Sequence, residues 1–179
     1  MAKILFVGGV HGVGKTYCCK ELASRYDLIH RSASQLISAK MTIFFNSSKR
    51  VGQISENQEY LIEAIDELNL KESSLLLDGH FCLLDQSGEI VRLPEETYFN
   101  LSPAAIILII DHAESISGKL FKRDQIQAFS IELIETFQEN EIKYAKDIAA
   151  KHQIPLYIHS VNENNEELHS FVENMLKVN

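Results

Sequence analysis

Cysteine is scarce: Cys18, Cys19 and Cys82 are the three in the chain, and they form neither a CxxC pair nor a metal-ligand spacing. An odd number argues against a disulfide framework. The expected setting is a reducing, cytoplasmic one, with the thiols acting as small apolar side chains. Positive charge is also in deficit, with 17 Lys and Arg against 25 Asp and Glu for a formal net charge of -8. Such a chain repels a polyanion, so no nucleic-acid partner is expected. No apolar run is long enough to span a bilayer. The opening MAKILFVGGV has one lysine, a short run broken by glycines and no signal-peptide cleavage pattern. No membrane role is expected, and this opening reads as a first buried strand. Internal repeats and low-complexity linkers are lacking too. A length of 179 residues suits one domain with a buried core and falls short of two, so residues 1–179 are read as a single domain.

What is present is an alternation of short apolar runs and helical patterns. The runs Ile4 to Val7, Leu75 to Leu77, Ala105 to Ile110 and Leu156 to Ile158 are apolar throughout, as strands are when helices cover both faces of a parallel sheet. Asp27 to His30 offers one more, shorter strand. Leu168, Phe171, Val172, Met175 and Leu176 repeat at helical spacing, which predicts a closing helix. Ser55 to Gln58 has the S-x-x-Q form of a capping box, with Leu61, Ile65 and Leu68 as the stripe behind it. Ser130 to about Lys151 predicts the longest helix, and Asp85-Gln86-Ser87-Gly88 the turn of a small hairpin.

Gly9-Val10-His11-Gly12-Val13-Gly14-Lys15-Thr16 fits G-x-x-x-x-G-K-[ST] at every fixed position, after a predicted strand and at the opening of a predicted helix. Phosphate oxygens need many donors in a concave shell, and glycines let successive N–H groups point inward. The helix start adds its positive dipole end. Lys15 is expected to reach the β- and γ-phosphates, and the Thr16 hydroxyl to ligate Mg2+. The expected nucleotide-binding set is Gly9, His11, Gly12, Val13, Gly14, Lys15, Thr16 and the following Tyr17, with ATP and Mg2+ as cofactors. The fold class that follows is α/β: a three-layer P-loop NTPase fold with a roughly five-stranded parallel sheet, helices on both faces and a small helical lid.

Asp78 ends a predicted strand and is the natural second acid beside the metal; the competing reading is a turn-forming Asp-Gly. His80 is either a substrate contact or a turn residue. Asp111 and Glu114 have capping spacing before a helix, and capping is the preferred reading. Lys119, Lys122 and Arg123 share one side of that helix, either as a cationic lid over the phosphates or as a solvated face with Asp124 as partner. An acceptor pocket is expected between the segment from His30 to about Arg50 and the helix after Ser55. Lys49 and Arg50 are candidate phosphate clamps there, against the plainer reading of exposed loop charges, and Gln58 is a candidate contact.

These residues resemble the archaeal-type adenylate kinases and related P-loop kinase-like ATP-binding proteins. The resemblance rests on GGVHGVGKT at the start, Leu77-Asp78-Gly79-His80, Gly88 to Pro94 leading into LSPAAIILI, Lys119 to Asp124, and the helix containing Phe137-Gln138-Glu139-Asn140-Glu141. It implies a five-stranded parallel core that binds MgATP and moves the γ-phosphoryl to a nucleoside monophosphate under a closing lid, about residues 112–140. By position, Gly12 to Thr16 cradle the triphosphate, Asp78 supports the metal, and Lys119 and Arg123 fall on the lid. The chain departs from the family in having Lys119 and Lys122 beside a single lid arginine, Arg123, where several arginines are usual, and in carrying His11 and Tyr17 in its P-loop. A small-molecule phosphoryl acceptor is the expected partner. The alternative is a regulatory ATPase switch acting on a protein. No N-K-x-D guanine signature is present, which disfavours a GTPase.

Overall fold

Strands without a polar face must be covered on both sides, and the computed structural model, which describes residues 2–45, 54–68, 70, 73–85, 87–125 and 129–177, shows how. In chain order the elements are β1 (Ile4–Gly8), α1 (Lys15–Tyr26), β2 (Ile29–Ser32), α2 (Ala33–Phe45), α3 (Ile54–Glu67), β3 (Leu75–Asp78), β4 (Cys82–Leu84), β5 (Ile90–Arg92), α4 (Glu95–Leu101), β6 (Ala105–Ile110), α5 (Ala113–Asp124), α6 (Ile131–His152), β7 (Leu156–Ser160) and α7 (Glu166–Lys177). Five strands form one parallel sheet in the order β2-β3-β1-β6-β7, and β4 and β5 form a separate antiparallel hairpin. The three central strands carry the core: Leu5, Val7, Leu75, Leu76, Leu77 and Ala105 to Ile109 are fully buried.

The local signals behave as their chemistry requires, with two adjustments. Ser130 caps α6, its hydroxyl accepting from Leu133 N at 3.2 Å. The Asp85 carboxylate accepts from Ser87 N, the Ser87 hydroxyl and Glu89 N, closing the hairpin turn, in which Gly88 takes φ 84°. The short strand is shifted: Asp27 takes the left-handed position ending α1, and β2 begins at Ile29. The capping box is displaced as well. Helix α3 starts at Ile54, which places Ser55 inside its first turn rather than ahead of it.

The sheet order reverses at β1, whose neighbours β3 and β6 belong to opposite excursions of the chain. A crevice therefore opens at the carboxyl ends of these strands, where ligands bind in open α/β sheets. Among the described residues no helix is long and apolar enough to cross a membrane.

Candidate active site

The phosphate loop fills that crevice. Gly9, Gly12 and Gly14 have φ of 141°, 78° and 117°, values that side chains disfavour. A Cβ on Gly9 would also lie 2.6 Å from Ile109 O, and one on Gly12 2.7 Å from the Leu120 side chain. Gly14 precedes α1 and supplies no side-chain cap, and the first turn carries no acid. The opening N–H groups of the helix are thus left for an anion.

Lys15 is buried and folded back over its own loop, donating to Gly9 O at 2.6 Å and Val10 O at 3.0 Å. Its Nζ also lies 3.1 Å from His80 Nε2, which must act as acceptor. Burial lowers the Lys15 ammonium to about 8, against the opposing pull of the Glu141 and Asp78 carboxylates. Burial, then the charges of Lys15 and His11, push His80 down to about 2, so its imidazole is neutral. His11 packs against it, with ring centroids 4.0 Å apart and planes tilted by 40°, and is itself lowered to about 4, chiefly by burial.

Asp78 is the last residue of β3 and is buried, and its Oδ2 lies 2.5 Å from His30 Nε2 on β2. The β2–β3 register sets Ser32 opposite Asp78. Lys119 on α5 is clasped to the loop, donating to Val13 O at 3.1 Å and Asp111 Oδ2 at 2.7 Å. Burial opposes ionisation of Asp111, but hydrogen bonds from Lys119, Ser115, His112 and Asn162 outweigh it and hold the carboxyl at about 2. Asp111 thus fastens the start of α5, and Gln138 grips its main chain from α6 through both amide atoms.

Of the sequence-predicted residues, His11, Gly12, Gly14, Lys15, Thr16, Tyr17, Asp78, His80, Lys119 and Arg123 line one open cleft of about 390 Å³. Val13 does not: its side chain is wholly buried in the core, and Gly9 backs onto β6, so each offers only main chain. Tyr17 is 81% exposed, at the rim. Arg123 stands on the cleft wall but is bound bidentately to Asp124, at 2.7 Å for each bond, and is exposed. That is the solvated pairing rather than a closed lid. Gln58 lies apart, in a second cavity, and Arg50 and Lys49 lie outside the described residues.

The second cavity, about 110 Å³, is walled by Phe6, Ile37, Leu61, Leu83, Leu93 and Tyr98. Asn57, Gln58 and Thr97 also line it, and the buried atoms Asn57 Oδ1, Gln58 Oε1 and Thr97 Oγ1 have no hydrogen-bond partner. Asp78 and His80 belong to both cavity and cleft.

Glu141 is the residue that sequence reasoning missed. It is 1% exposed, and its Oε1 accepts from Phe81 N and Cys82 N, both at 2.8 Å, tying α6 to the segment after Asp78. Burial pushes its carboxyl up to about 7, against those bonds and the Lys15 charge. The available signal was an acid on the buried stripe of an amphipathic helix, between Phe137 and Tyr144.

A glycine-shaped anion loop at a sheet switch point, with a lysine inside it and a carboxylate on the adjacent strand, defines a P-loop nucleotide-binding protein. The sequence matches AAA_17, an AAA domain, over residues 8–138, and the chain belongs to that family. It is 27% identical over 149 residues to adenylate kinase isoenzyme 1 of Cyprinus carpio, spanning 81% of this chain and 76% of the carp protein. Two solved structures share the fold: a gluconokinase from Sinorhizobium meliloti 1021, with TM-score 0.55, 12% identity and coverage of 98% and 91% of the two chains, and a sugar kinase from Janibacter sp. HTCC2649, with TM-score 0.57, 15% identity and coverage of 99% and 96%.

Proposed function

We propose that this protein is a kinase of the archaeal-type adenylate-kinase kind, transferring the γ-phosphoryl of MgATP to a small acceptor, a nucleoside monophosphate. The observation that carries this reading is the apolar cavity beside the phosphate cleft, with Asp78 and His80 on the wall they share. A protein that only hydrolyses ATP needs no second compartment. Unpaired Asn57, Gln58 and Thr97 atoms inside an apolar wall suit a planar ligand carrying a few polar edge groups.

In the reaction the acceptor oxygen attacks the γ-phosphorus as the bond to the departing ADP oxygen breaks. Catalysis of such a transfer is mostly positioning and charge neutralisation. Lys15 would exchange Gly9 O and Val10 O for phosphate oxygens, so the apo loop holds it in place and the ligand redirects it. The Thr16 hydroxyl and Asp78 carboxylate are hard oxygen donors on one cleft, which fits Mg2+. That ion, when bound, would neutralise charge on the phosphates. Residues 1–179 work as one domain in this reading, with α5 and the start of α6, about 112–140, as its lid.

A screen of nucleoside monophosphates for stimulated ADP release from MgATP, with phosphate followed onto the acceptor, tests the proposal. Transfer to one of them supports it. Stimulation by a protein partner without acceptor phosphorylation would instead support a slow ATPase switch, a reading favoured by the pairing of Arg123 with Asp124 rather than with the cleft.

A further inference from the structure

Behind the phosphate loop three side chains of different chemistry converge from three elements. Cys19 lies in the second turn of α1 and is wholly buried, His30 is on β2, and Asp78 ends β3. One donor atom from each, sulfur, imidazole nitrogen and carboxylate oxygen, lies within 4.8 Å of the other two. The His30 and Asp78 side chains are 17% and 8% exposed, so water competes little for the space between them.

We propose that Cys19, His30 and Asp78 form a binding site for a borderline-soft divalent cation, Zn2+, separate in its chemistry from the Mg2+ that would accompany a nucleotide. A thiolate–imidazole–carboxylate set suits Zn2+, whereas Mg2+ takes oxygen donors and keeps its water. Zinc–ligand lengths of about 2.0–2.3 Å put tetrahedral donors about 3.3–3.7 Å apart. Binding would open the His30–Asp78 hydrogen bond and draw the sulfur in.

On binding, the Cys19 S–H bond breaks as the Zn–S bond forms, and the proton leaves to solvent. The proton that His30 Nε2 donates to Asp78 moves to Nδ1, so Nε2 ligates with no further proton released. One thiolate and one carboxylate balance the two charges of the ion, which makes its burial tolerable. Three protein ligands leave a fourth position for water. Asp78 is also on the wall of the phosphate cleft, so Zn2+ and a nucleotide-borne Mg2+ would compete for one carboxylate, and zinc would hold the protein off.

The test uses the apo chain without nucleotide, so its outcome is independent of the kinase reading. Calorimetric titration with ZnCl2 in two buffers of different ionisation enthalpy should give one ion bound per chain and about one proton released. Co2+ should produce a thiolate charge-transfer absorption that Zn2+ displaces. Cys19→Ala and His30→Ala should each weaken binding at least about tenfold, since even loss of an outer-shell partner has that effect. Cys18→Ser and Cys82→Ser should leave it unchanged. Circular dichroism checks that each variant is folded; if Cys19→Ala is not, His30→Ala, at a half-buried position, decides. Absence of the thiolate band, or zinc binding unaltered in a folded Cys19→Ala or His30→Ala, overturns the proposal.

Discussion

Replacing Lys15 by methionine should leave the stability of the apo protein at neutral pH close to the parent's while removing its response to nucleotide. Burial lowers the Lys15 ammonium from 10.5 to about 8. At about 1.4 kcal/mol per pH unit, holding it charged inside the fold costs about 3 kcal/mol at neutral pH. Methionine removes that cost and keeps most of the stem's contacts. It also leaves Gly9 O, Val10 O and His80 Nε2 without their lysine partner, and three lost hydrogen bonds offset about 1 kcal/mol each. The two nearly cancel, so at neutral pH the variant is expected within about 1 kcal/mol of the parent, or about 2–4 °C for a chain of this size. The sign is also testable by pH. The unfolded chain keeps the proton up to 10.5 and the folded chain only to about 8, so the parent gains stability relative to Lys15→Met as pH rises between those values. Thermal unfolding of both proteins, with and without MgATP at a hundredfold excess over Kd, adds the functional half. The parent should gain about 2.7 kcal/mol and the variant little of it. A parent that loses stability relative to the variant as pH rises between about 8 and 10.5, or a variant that keeps the full MgATP shift, would refute the reasoning.

Asp78→Asn keeps the shape but not the charge, so turnover should fall far more than nucleotide affinity; unchanged turnover at saturating Mg2+ would reduce Asp78 to a turn residue. Arg123→Ala should lower kcat about a hundredfold with little change in nucleotide Kd if the guanidinium leaves Asp124 to cover the phosphates at closure. Arg123→Lys should recover only part of that loss, and equal single-turnover rates in all three proteins would sink the lid. Gln58→Ala should raise the KM for the acceptor about tenfold, the worth of one buried hydrogen bond, with ATP affinity unaltered; an unchanged KM would place the acceptor outside the apolar cavity.

The sequence alone determined the phosphate loop and the strands that frame it. The loop is legible because its chemistry is contiguous: Gly9 to Thr16 bend, donate and charge one small volume, so spacing along the chain is spacing in space. The strands are legible because Leu75 to Leu77 and Ala105 to Ile109 are buried on both faces and therefore apolar without alternation. Asp78 stood out for the same local reason, as the polar residue ending such a run. Only the tertiary structure decided what surrounds it. The order β2-β3-β1 brings His30 onto Asp78, and α1 lays Cys19 beside both, although no spacing among the three cysteines suggested a ligand. Glu141 joins the site because α6 packs across the chain after β3, and it read beforehand as one more acid in an amphipathic helix. Arg123 and Val13 were placed by pattern, yet one faces Asp124 and the other the core. A pattern fixes which side of an element a residue occupies. What it meets there depends on non-local packing, the free-energy balance of the whole sheet and its helices, which no window of sequence contains.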